Sequence, residues 1–321
     1  MDRTVSDDAL TAAARTAVGQ CLGLDADETS VVVTDDERER IGTAIYRAAS
    51  ERADDSTVVR YPPGDAHGEE PPAPVAATMR EADVVLAPTT KSLTHTRARS
   101  RASEAGARVA TLPGITGSVF TTGLDADYDA IAAACEDVYE QVADAGEIRV
   151  TAPAGTDLTV GVGDREWRTD TGVLDAPGVT NLPAGETFIS PETADGTYVV
   201  DGTVSPHGRL DGRTVTFTVE GGAVTDIDDP EVRALFEDAA AEADDPDAVY
   251  NLAELGIGAN TAVTELVGSV LLDEKAAGTV HVAVGDDVGI GGDVDAPIHE
   301  DGVLVDPTVY ADGERITLPT P

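Results

Sequence analysis

The sequence predicts an α/β protein with two domains, a Rossmann-like parallel α/β domain at residues 1–144 and an α+β domain with a mostly antiparallel sheet at residues 145–321. Strand and helix patterns alternate in the first part, as they do in parallel sheets that are covered on both faces. Short alternating segments broken by glycine and aspartate fill the second part, which is typical of antiparallel sheets. A length of 321 residues also suits two domains.

The first part begins with a helix, because Leu10, Ala13, Ala17 and Cys21 recur at helical spacing behind the candidate N-cap Ser6. The elements predicted after it are, in order, the strand TSVVVTDD, a helix around Ile45, the strand STVVRY, a helix across PVAATMREA, the strand DVVLAP, a helix after SLTHT, the strand ARVATLPG and a long helix around Val138. The turn after the first strand carries acid where dinucleotide-binding domains carry glycine, so NAD binding is disfavoured.

The second part contains the predicted strand segments EIRVTAPAGTDLTVGVGDREW, GTYVVDGTV and RLDGRTVTFTVEGGAVTDI, and one helix, DPEVRALFEDAAAEA. The boundary near residue 145 is placed where the pattern changes from one type to the other. Cys21 and Cys135 occupy apolar helix positions, which predicts buried thiols without a chemical role.

The charge is extreme, since 61 acidic residues against 21 basic ones give a formal net charge of −40. The acid is spread along the chain between apolar segments, so it predicts an acidic surface on a folded protein. Concentrated salt screens the repulsion between these surface charges, so we expect a salt-rich cytoplasm. The acidic surface also argues against nucleic acid and anionic membranes as partners. No secretory signal pattern and no apolar run of about 18 residues occurs, so we expect a cytoplasmic protein.

Metal-binding residue types occur near the end of the chain. In GTVHVAVG the valines alternate with His281, so a strand would bury the valines and turn the histidine to the opposite face. In PIHEDG, His299 and Asp301 are two residues apart and share a face if the segment is extended. Neutral imidazole and carboxylate are common ligands of catalytic zinc, cobalt, manganese and iron, so this pair is a candidate metal site.

The remaining histidines carry weaker signals. His95 follows the carboxyl end of a predicted parallel strand, where such folds collect ligands, although helix capping by its threonine neighbours is the better explanation of that segment. Arg97 and Arg101 lie four residues apart on the next helix and would reach a substrate carboxylate or pair with nearby acids. His67 in a polar linker and His207 in a turn are expected at the surface.

Four blocks in the second half together resemble the aminopeptidase T family, the thermophilic-metalloprotease type of leucyl aminopeptidase. The blocks are NLPAGETFISPETADGTYVVDGTV, AELGIGAN, DEKAAGTVHVAVG and PIHEDGVLVDPTVYADGERI. The resemblance covers residues 145–321 well and the first part more loosely. The chain looks like a short, acidic, haloarchaeal-like member of that family.

The resemblance implies a metallo-aminopeptidase that releases amino-terminal residues from short peptides and works as a homodimer. It also implies two divalent ions (zinc, cobalt, manganese or magnesium) that share and activate one water molecule. By position in the matching blocks, Glu186 or Glu254 would shuttle the proton. The ligands that the resemblance implies are Glu186, Glu254, His281, His299 and Asp301.

The chain departs from the aminopeptidase T pattern between His281 and His299. Longer members have a tyrosine shortly after the first histidine that is thought to assist catalysis, whereas here the segment is shortened and has no tyrosine. Tyr310 lies in a different block and does not take that role. The departure affects the expected peptide hydrolysis more than the expected metal binding.

Two alternatives stay open. Ring-cleaving dioxygenases that act on dihydroxypyridines resemble this family distantly, and their single iron(II) would be held here by His281, His299 and Asp301. The presence of Glu186 and Glu254 favours two metal ions over one. The second alternative is a non-catalytic protein that holds a metal ion only for structure.

Overall fold

The structure is a computed structural model that describes residues 5–321. The chain divides into two compact units, Met1–Ala132 with Thr171–Ala184, and Ala133–Asp170 with Gly185–Pro321. The boundary predicted at residue 145 lies inside the second unit, because the chain leaves the first unit within a helix and returns to it once.

The first unit is built on a five-stranded sheet in which every pair of neighbouring strands is parallel. Its strands, in spatial order, are β2 (Ser56–Tyr61), β1 (Ser30–Asp35), β3 (Val84–Thr89), β4 (Arg108–Pro113) and β8 (Gly178–Asn181). Its helices are α1 (Asp7–Thr16), α2 (Glu39–Ser50), α3 (Ala73–Arg80), α4 (Arg97–Glu104) and α5 (Gly117–Leu124). A π-helical turn, Ala17–Cys21, continues α1.

The helices and strands that the first half of the sequence predicts are confirmed. Ser6 caps α1 by accepting a hydrogen bond from the backbone N–H of Ala9, which satisfies one of the orphan donors of the first turn. Two elements were not predicted. In α5 two glycines and several β-branched residues obscure the helical pattern, and β8 is a short segment from far along the chain that pairs with β4.

The second unit contains two seven-stranded sheets whose strand pairs are antiparallel, as the alternating pattern predicts. Sheet 2 consists, in spatial order, of β14 (Ala223–Ile227), β13 (Val215–Glu220), β10 (Thr193–Val200), β6 (Asp157–Gly161), β5 (Glu147–Thr151), β18 (Thr308–Ala311) and β19 (Glu314–Arg315). Sheet 3 consists of β12 (Gly208–Arg209), β11 (Thr203–Val204), β17 (His299–Leu304), β16 (Val280–Gly285), β15 (Leu252–Gly258), β9 (Glu186–Ile189) and β7 (Arg168–Asp170).

Three further helices complete the chain: α6 (Tyr128–Val142), α7 (Pro230–Glu242) and α8 (Val270–Asp273). Short 3₁₀ segments lie at Pro246–Tyr250 and Val288–Ile290. Among the described residues, no helix combines the length and apolar character that crossing a bilayer requires.

The core of the second unit lies between sheets 2 and 3. Val280, Val282 and Val284 of β16 are fully buried in one apolar cluster with Leu158 of β6 and Phe217 of β13. Because side chains alternate along a strand, the valines leave the other face of β16 for polar groups. That face of sheet 3 carries the candidate site. The predicted fold class, a parallel α/β part and an α+β part with antiparallel sheet, is confirmed.

Candidate metal centre

Four neighbouring strands of sheet 3 bring the five sequence-predicted residues to one face. Residues directly opposite each other in an antiparallel pair point to the same side of the sheet. Gly258 stands opposite Glu186, and Gly256 stands opposite His281. Ala283 of β16 stands opposite both Glu254 of β15 and Asp301 of β17, and Gly285 stands opposite His299. Register therefore gathers all five residues on the face that is turned away from the valine core.

On one neighbouring strand, each of these five side chains thus faces a residue that has no side chain or only a methyl group. The requirement is strictest at Gly256, where an added Cβ would lie 2.1 Å from Cε1 and Nε2 of His281. A Cβ and an imidazole cannot share that space, so glycine at this position is what lets His281 lie across β15. This role of Gly256 was not predicted from the sequence, although the spacing of glycine and alanine at every second residue in ELGIG and HVAVG was a visible signal.

The distances in the site are short. His281 Nε2 lies 3.2 Å from Glu186 Oε2 and 3.3 Å from Glu254 Oε1. The other oxygen of Glu254 lies 3.4 Å from His299 Nε2, which in turn lies 3.7 Å from Asp301 Oδ2. Glu254 is therefore the central member, with one oxygen directed to each histidine.

Two groups of side chains could hold a metal ion, and they share Glu254. Ligand atoms of Glu186, Glu254 and His281 lie within 4.8 Å of one another, and so do those of Glu254, His299 and Asp301. The first group is buried throughout, whereas the second reaches solvent through His299, whose side chain is 32% exposed. The triad His281, His299 and Asp301 does not form a group by itself among the described residues, because His281 lies on the far side of Glu254.

Neighbouring charges in the site shift one another's pKa values. Burial disfavours the charged form of Glu186, but the Lys275 ammonium and the His281 imidazole outweigh burial and hold the pKa of this carboxyl below its usual range. Desolvation likewise opposes protonation of His299, but the Asp301 and Glu254 carboxylates raise its pKa to about 10. The pKa of His281 is raised well above its usual value against the effect of burial, by Glu186 and Glu254. The site therefore attracts positive charge at both histidines.

Lys275 adjoins the site and was not singled out from the sequence. Its side chain is 7% exposed, and its ammonium ion-pairs with Glu186 Oε1 and lies 2.9 Å from Glu274 Oε1. Burial raises the pKa of the Glu274 carboxyl to about 8, against the attraction of Lys275. The rarity of lysine in this chain, which has only Lys91 and Lys275, was the signal that could have drawn attention to it.

The loop between β16 and β17 orients His299. The Nδ1–H of His299 donates a hydrogen bond to the backbone carbonyl of Asp286, 2.7 Å away, and since a carbonyl only accepts, this bond fixes the proton on Nδ1. The buried carboxylate of Asp287 accepts hydrogen bonds from Ser190 Oγ, Asn251 Nδ2 and the backbone N–H of Val294, which holds the loop. Nε2 of His299 is thus left to face Glu254 and Asp301.

The other residues that the sequence singled out lie elsewhere. His95, Arg97 and Arg101 are exposed and belong to the first unit, where Arg97 Nε pairs with Glu70 at 3.2 Å. His67 is exposed, as predicted. The surface prediction for His207 is wrong, because its side chain is 7% exposed and its Nε2 lies 3.0 Å from Asp229, the N-cap of α7. Cys21 and Cys135 are buried, and burial raises the pKa of the Cys135 thiol to about 12.

Comparisons with known proteins identify relatives of this fold. A search of curated proteins finds no match to the chain. Among solved structures, 2,5-dihydroxypyridine dioxygenase from Pseudomonas putida KT2440 is similar, with a TM-score of 0.79 and 21% identity over 98% of this chain and 97% of that one. Wild-type AmpT from Thermus thermophilus is also similar, with a TM-score of 0.66 and 18% identity over 97% of each chain.

The prediction of a metallo-aminopeptidase, a hydrolase acting on peptide bonds, is wrong. The family model for NicX, 2,5-dihydroxypyridine 5,6-dioxygenase, matches residues 10–319 and therefore covers both units and the whole candidate site. The sequence blocks that suggested aminopeptidase T carry the strands and side chains of the metal centre, and AmpT shares this fold, but fold and ligands alone do not specify the reaction. The chain belongs to the NicX family of 2,5-dihydroxypyridine 5,6-dioxygenases.

Proposed function

We propose that this chain is an iron-dependent dioxygenase that opens a dihydroxylated pyridine ring. The observation that carries the proposal is that the family match spans every residue of a cluster in which carboxylates and imidazoles converge at the face of one sheet. The name of the family supplies the substrate class and the reaction. The cluster supplies a place for the metal ion that such a reaction needs.

The residues fit iron(II). Non-haem iron oxygenases use histidine and carboxylate ligands that leave coordination positions open. Glu254, His299 and Asp301 would hold the ion, with His281 lying 3.3 Å from the other oxygen of Glu254. Next to this set, Glu186 Oε2 is buried without a hydrogen-bond partner among the described residues, so protein donors alone do not satisfy the carboxylates of the cluster. This set differs from the triad considered from the sequence in that Glu254 stands in the place of His281.

Bound iron(II) would supply binding of dioxygen and of a substrate hydroxyl at one centre. The chain itself would contribute access, orientation and a proton acceptor. His299 is the solvent-reaching member of the group, so a flat aromatic substrate would approach from its side. A hydroxylated ring must lose a proton to become electron-rich, and the Glu254 carboxylate, whose Oε1 lies 3.3 Å from His281 Nε2, offers an acceptor for it.

The reaction balances without another reductant, because a ring-cleaving dioxygenase places both oxygen atoms of one dioxygen in the product as the ring carbon–carbon bond breaks. The test uses protein that has been stripped of metal, loaded anaerobically with iron(II) in molar KCl, and mixed with 2,5-dihydroxypyridine. We expect one dioxygen to be consumed for each ring lost, measured with an oxygen electrode and by ultraviolet absorbance. Zinc-loaded protein is the control. Iron-loaded, folded protein that leaves both substrates unchanged would contradict the proposal.

A further inference from the structure

Phe188 of β9 is the only one of the four phenylalanines in this chain that is partly exposed, since the other three are buried. It stands opposite Gly256 in the sheet, so its side chain points to the face that carries the candidate metal centre. Glu254 lies two residues from Gly256 on the same face and is therefore a diagonal neighbour of Phe188, at about 7–8 Å. Register thus puts an accessible aromatic ring beside the ligand group.

Arg168 of β7 stands directly opposite Phe188 on the same face. Residues paired in this way have Cβ atoms about 5 Å apart, so the arginine side chain borders the ring. Of the two arginines in the strands of sheet 3, Arg209 ion-pairs with Asp211, whereas Arg168 has no carboxylate partner among the described residues. In a chain with a formal net charge of −40, this guanidinium offers local positive charge to an anionic ligand.

The loop between β16 and β17 connects Arg168 to the metal centre. The carbonyl of Asp286 accepts the hydrogen bond that orients His299, and three residues later the carbonyl of Gly289 accepts one from Arg168 Nη1 at 3.4 Å. Three residues of chain span at most about 11 Å, so the guanidinium and the imidazole lie at the two ends of one short segment. Between them lies Val288, which at 54% is the most exposed large apolar residue in the described part of the chain.

Arg168 is not needed to hold this loop. Arg165 holds it through Nη1, which donates to the carbonyl of Gly291 at 2.7 Å, and through an ion pair with Asp293 at 2.9 Å. The carboxylate of Asp287 holds the base of the loop through three further hydrogen bonds. The one hydrogen bond that the Arg168 guanidinium makes within the described residues is long, so most of its donors are left for a ligand.

We propose that Phe188 and Arg168 form a substrate subsite, in which the substrate ring stacks on Phe188 and the guanidinium binds a carboxylate on that ring. The inference rests on the proposed function and narrows its substrate class to dihydroxypyridines with a carboxylate on the edge away from the metal-bound hydroxyl. From Glu254 to Phe188 and on to Arg168, the Cβ atoms cover about 12 Å, which a ring with a polar group at each end can bridge. The planar guanidinium matches a carboxylate with two parallel hydrogen bonds.

Two ligands that differ only in the carboxylate test the subsite, 6-hydroxypyridine-3-carboxylate and 2-hydroxypyridine. Both lack the second ring hydroxyl, so their binding to zinc-loaded protein in molar KCl is measured without turnover by isothermal titration calorimetry. The wild type should bind the carboxylate at least about tenfold more tightly, because hydrogen bonds between charged groups are the stronger ones. Arg168→Gln keeps a donor for Gly289 and removes the charge, so this preference should disappear. Arg149→Gln, at an arginine paired with Asp157 in sheet 2, should keep it.

Equal affinity of the wild type for the two ligands would overturn the proposal. So would a preference that survives Arg168→Gln, because the arginine would then act on the ring or the loop and not on the carboxylate. Phe188→Leu is an independent test, in which both ligands should bind more weakly, by up to about tenfold, with the preference retained. Unchanged affinity in this variant, with folding checked by circular dichroism, would overturn the assigned stacking.

These outcomes are separate from the dioxygen assay. Protein that shows the carboxylate preference and consumes no dioxygen with any dihydroxypyridine refutes only the proposed reaction. Protein that consumes dioxygen and lacks the preference refutes only the subsite.

Discussion

Two clusters of buried acid in this protein differ in how their charges are satisfied. Asp35, at the end of β1 in the first unit, is 1% exposed. Its carboxylate accepts hydrogen bonds from the backbone N–H groups of Glu37 and Arg38 and from the hydroxyl and backbone N–H of Thr90. In sheet 3, by contrast, Glu186 Oε2 and His281 Nδ1 have no hydrogen-bond partner among the described residues.

The difference separates a structural role from a binding role. The donors to Asp35 come from the acidic turn after β1 and from Thr90, just after β3. The carboxylate therefore holds that turn against the end of β3 and needs no further partner. The side chains on sheet 3 point at one another across 3.2–3.7 Å, and the unpartnered Oε2 of Glu186 leaves a buried acceptor for positive charge. Burial of an acid alone would not have distinguished the two clusters, whereas hydrogen bonding does.

The largest expected effect follows from Glu254→Gln, because Glu254 belongs to both ligand groups. The amide keeps the shape but loses the charge and one acceptor, so we expect iron(II) binding and dioxygen uptake to be lost together. Loss of affinity should exceed the roughly 10–100-fold that changes outside the ligand set cause. Metal analysis after desalting measures it, with circular dichroism as the check of folding. Full metal occupancy in the variant would remove Glu254 from the site.

The second effect is the pH dependence of metal binding. In the metal-free protein the pKa of His299 is raised to about 10, and that of His281 is raised well above its usual value, so both imidazoles carry protons at neutral pH. Metal must displace the proton on Nε2 of His299, the histidine of the proposed ligand set, so affinity should rise by about tenfold per pH unit, and acid should weaken binding. Titrations between pH 6 and about 9 test this. Affinity that levels off above about pH 7, as histidines of ordinary pKa would give, would contradict it.

Asp35→Ala tests the structural role of the buried acid in the first unit. Removal of the carboxylate leaves three backbone donors, those of Glu37, Arg38 and Thr90 in partly buried hydrogen bonds, without their acceptor. We expect the free energy of unfolding to fall by about 3 kcal/mol, since an unsatisfied buried donor costs about 1–3 kcal/mol. Urea denaturation in molar KCl measures the loss. Iron bound per folded chain should not change, and a fall in iron content would mean that the two clusters do not have separate roles.

The smallest expected effect concerns Gly256→Ala, which adds one methyl group to the space that His281 occupies. Displacement of the imidazole removes the contact between His281 and Glu254, so metal binding should weaken by about 10–100-fold, as it does when the partner of a ligand is changed. Gly146→Ala is the matched control, because a Cβ there would meet its nearest atom, Asp312 Oδ1, at 3.8 Å. Equal metal affinity in the two variants would show that the close approach of His281 to β15 is not needed.

The sequence predicted the strands of the site better than their assembly. The alternation of Val280, Val282 and Val284 predicted correctly that His281 leaves the apolar face, and the extended segment puts His299 and Asp301 on one side of β17. Which strands pair, and in which register, depends on contacts between distant segments that no local pattern contains. Glu186 and Glu254 therefore looked like ordinary acids until their resemblance to known blocks singled them out.

The same limitation explains the wrong reaction and the missed residues. Blocks such as AELGIGAN and TVHVAVG contain the residues that the sheet and the metal centre require, including the glycines opposite Glu186 and His281. Proteins of different activity can have the same requirements. Lys275 was missed because its role depends on Glu186, which lies 89 residues away in the chain. Its rarity in an acidic sequence was the only local sign.

The most direct test of the central claim, that the cluster on sheet 3 serves ring opening, is to follow labelled oxygen. Iron-loaded protein is mixed with 2,5-dihydroxypyridine under ¹⁸O₂, and the product is analysed at once by mass spectrometry. The account predicts that both atoms of one dioxygen molecule appear in the ring-opened product, and that Glu254→Gln forms none. A product whose new oxygen comes from water, or an intact ring, would contradict it.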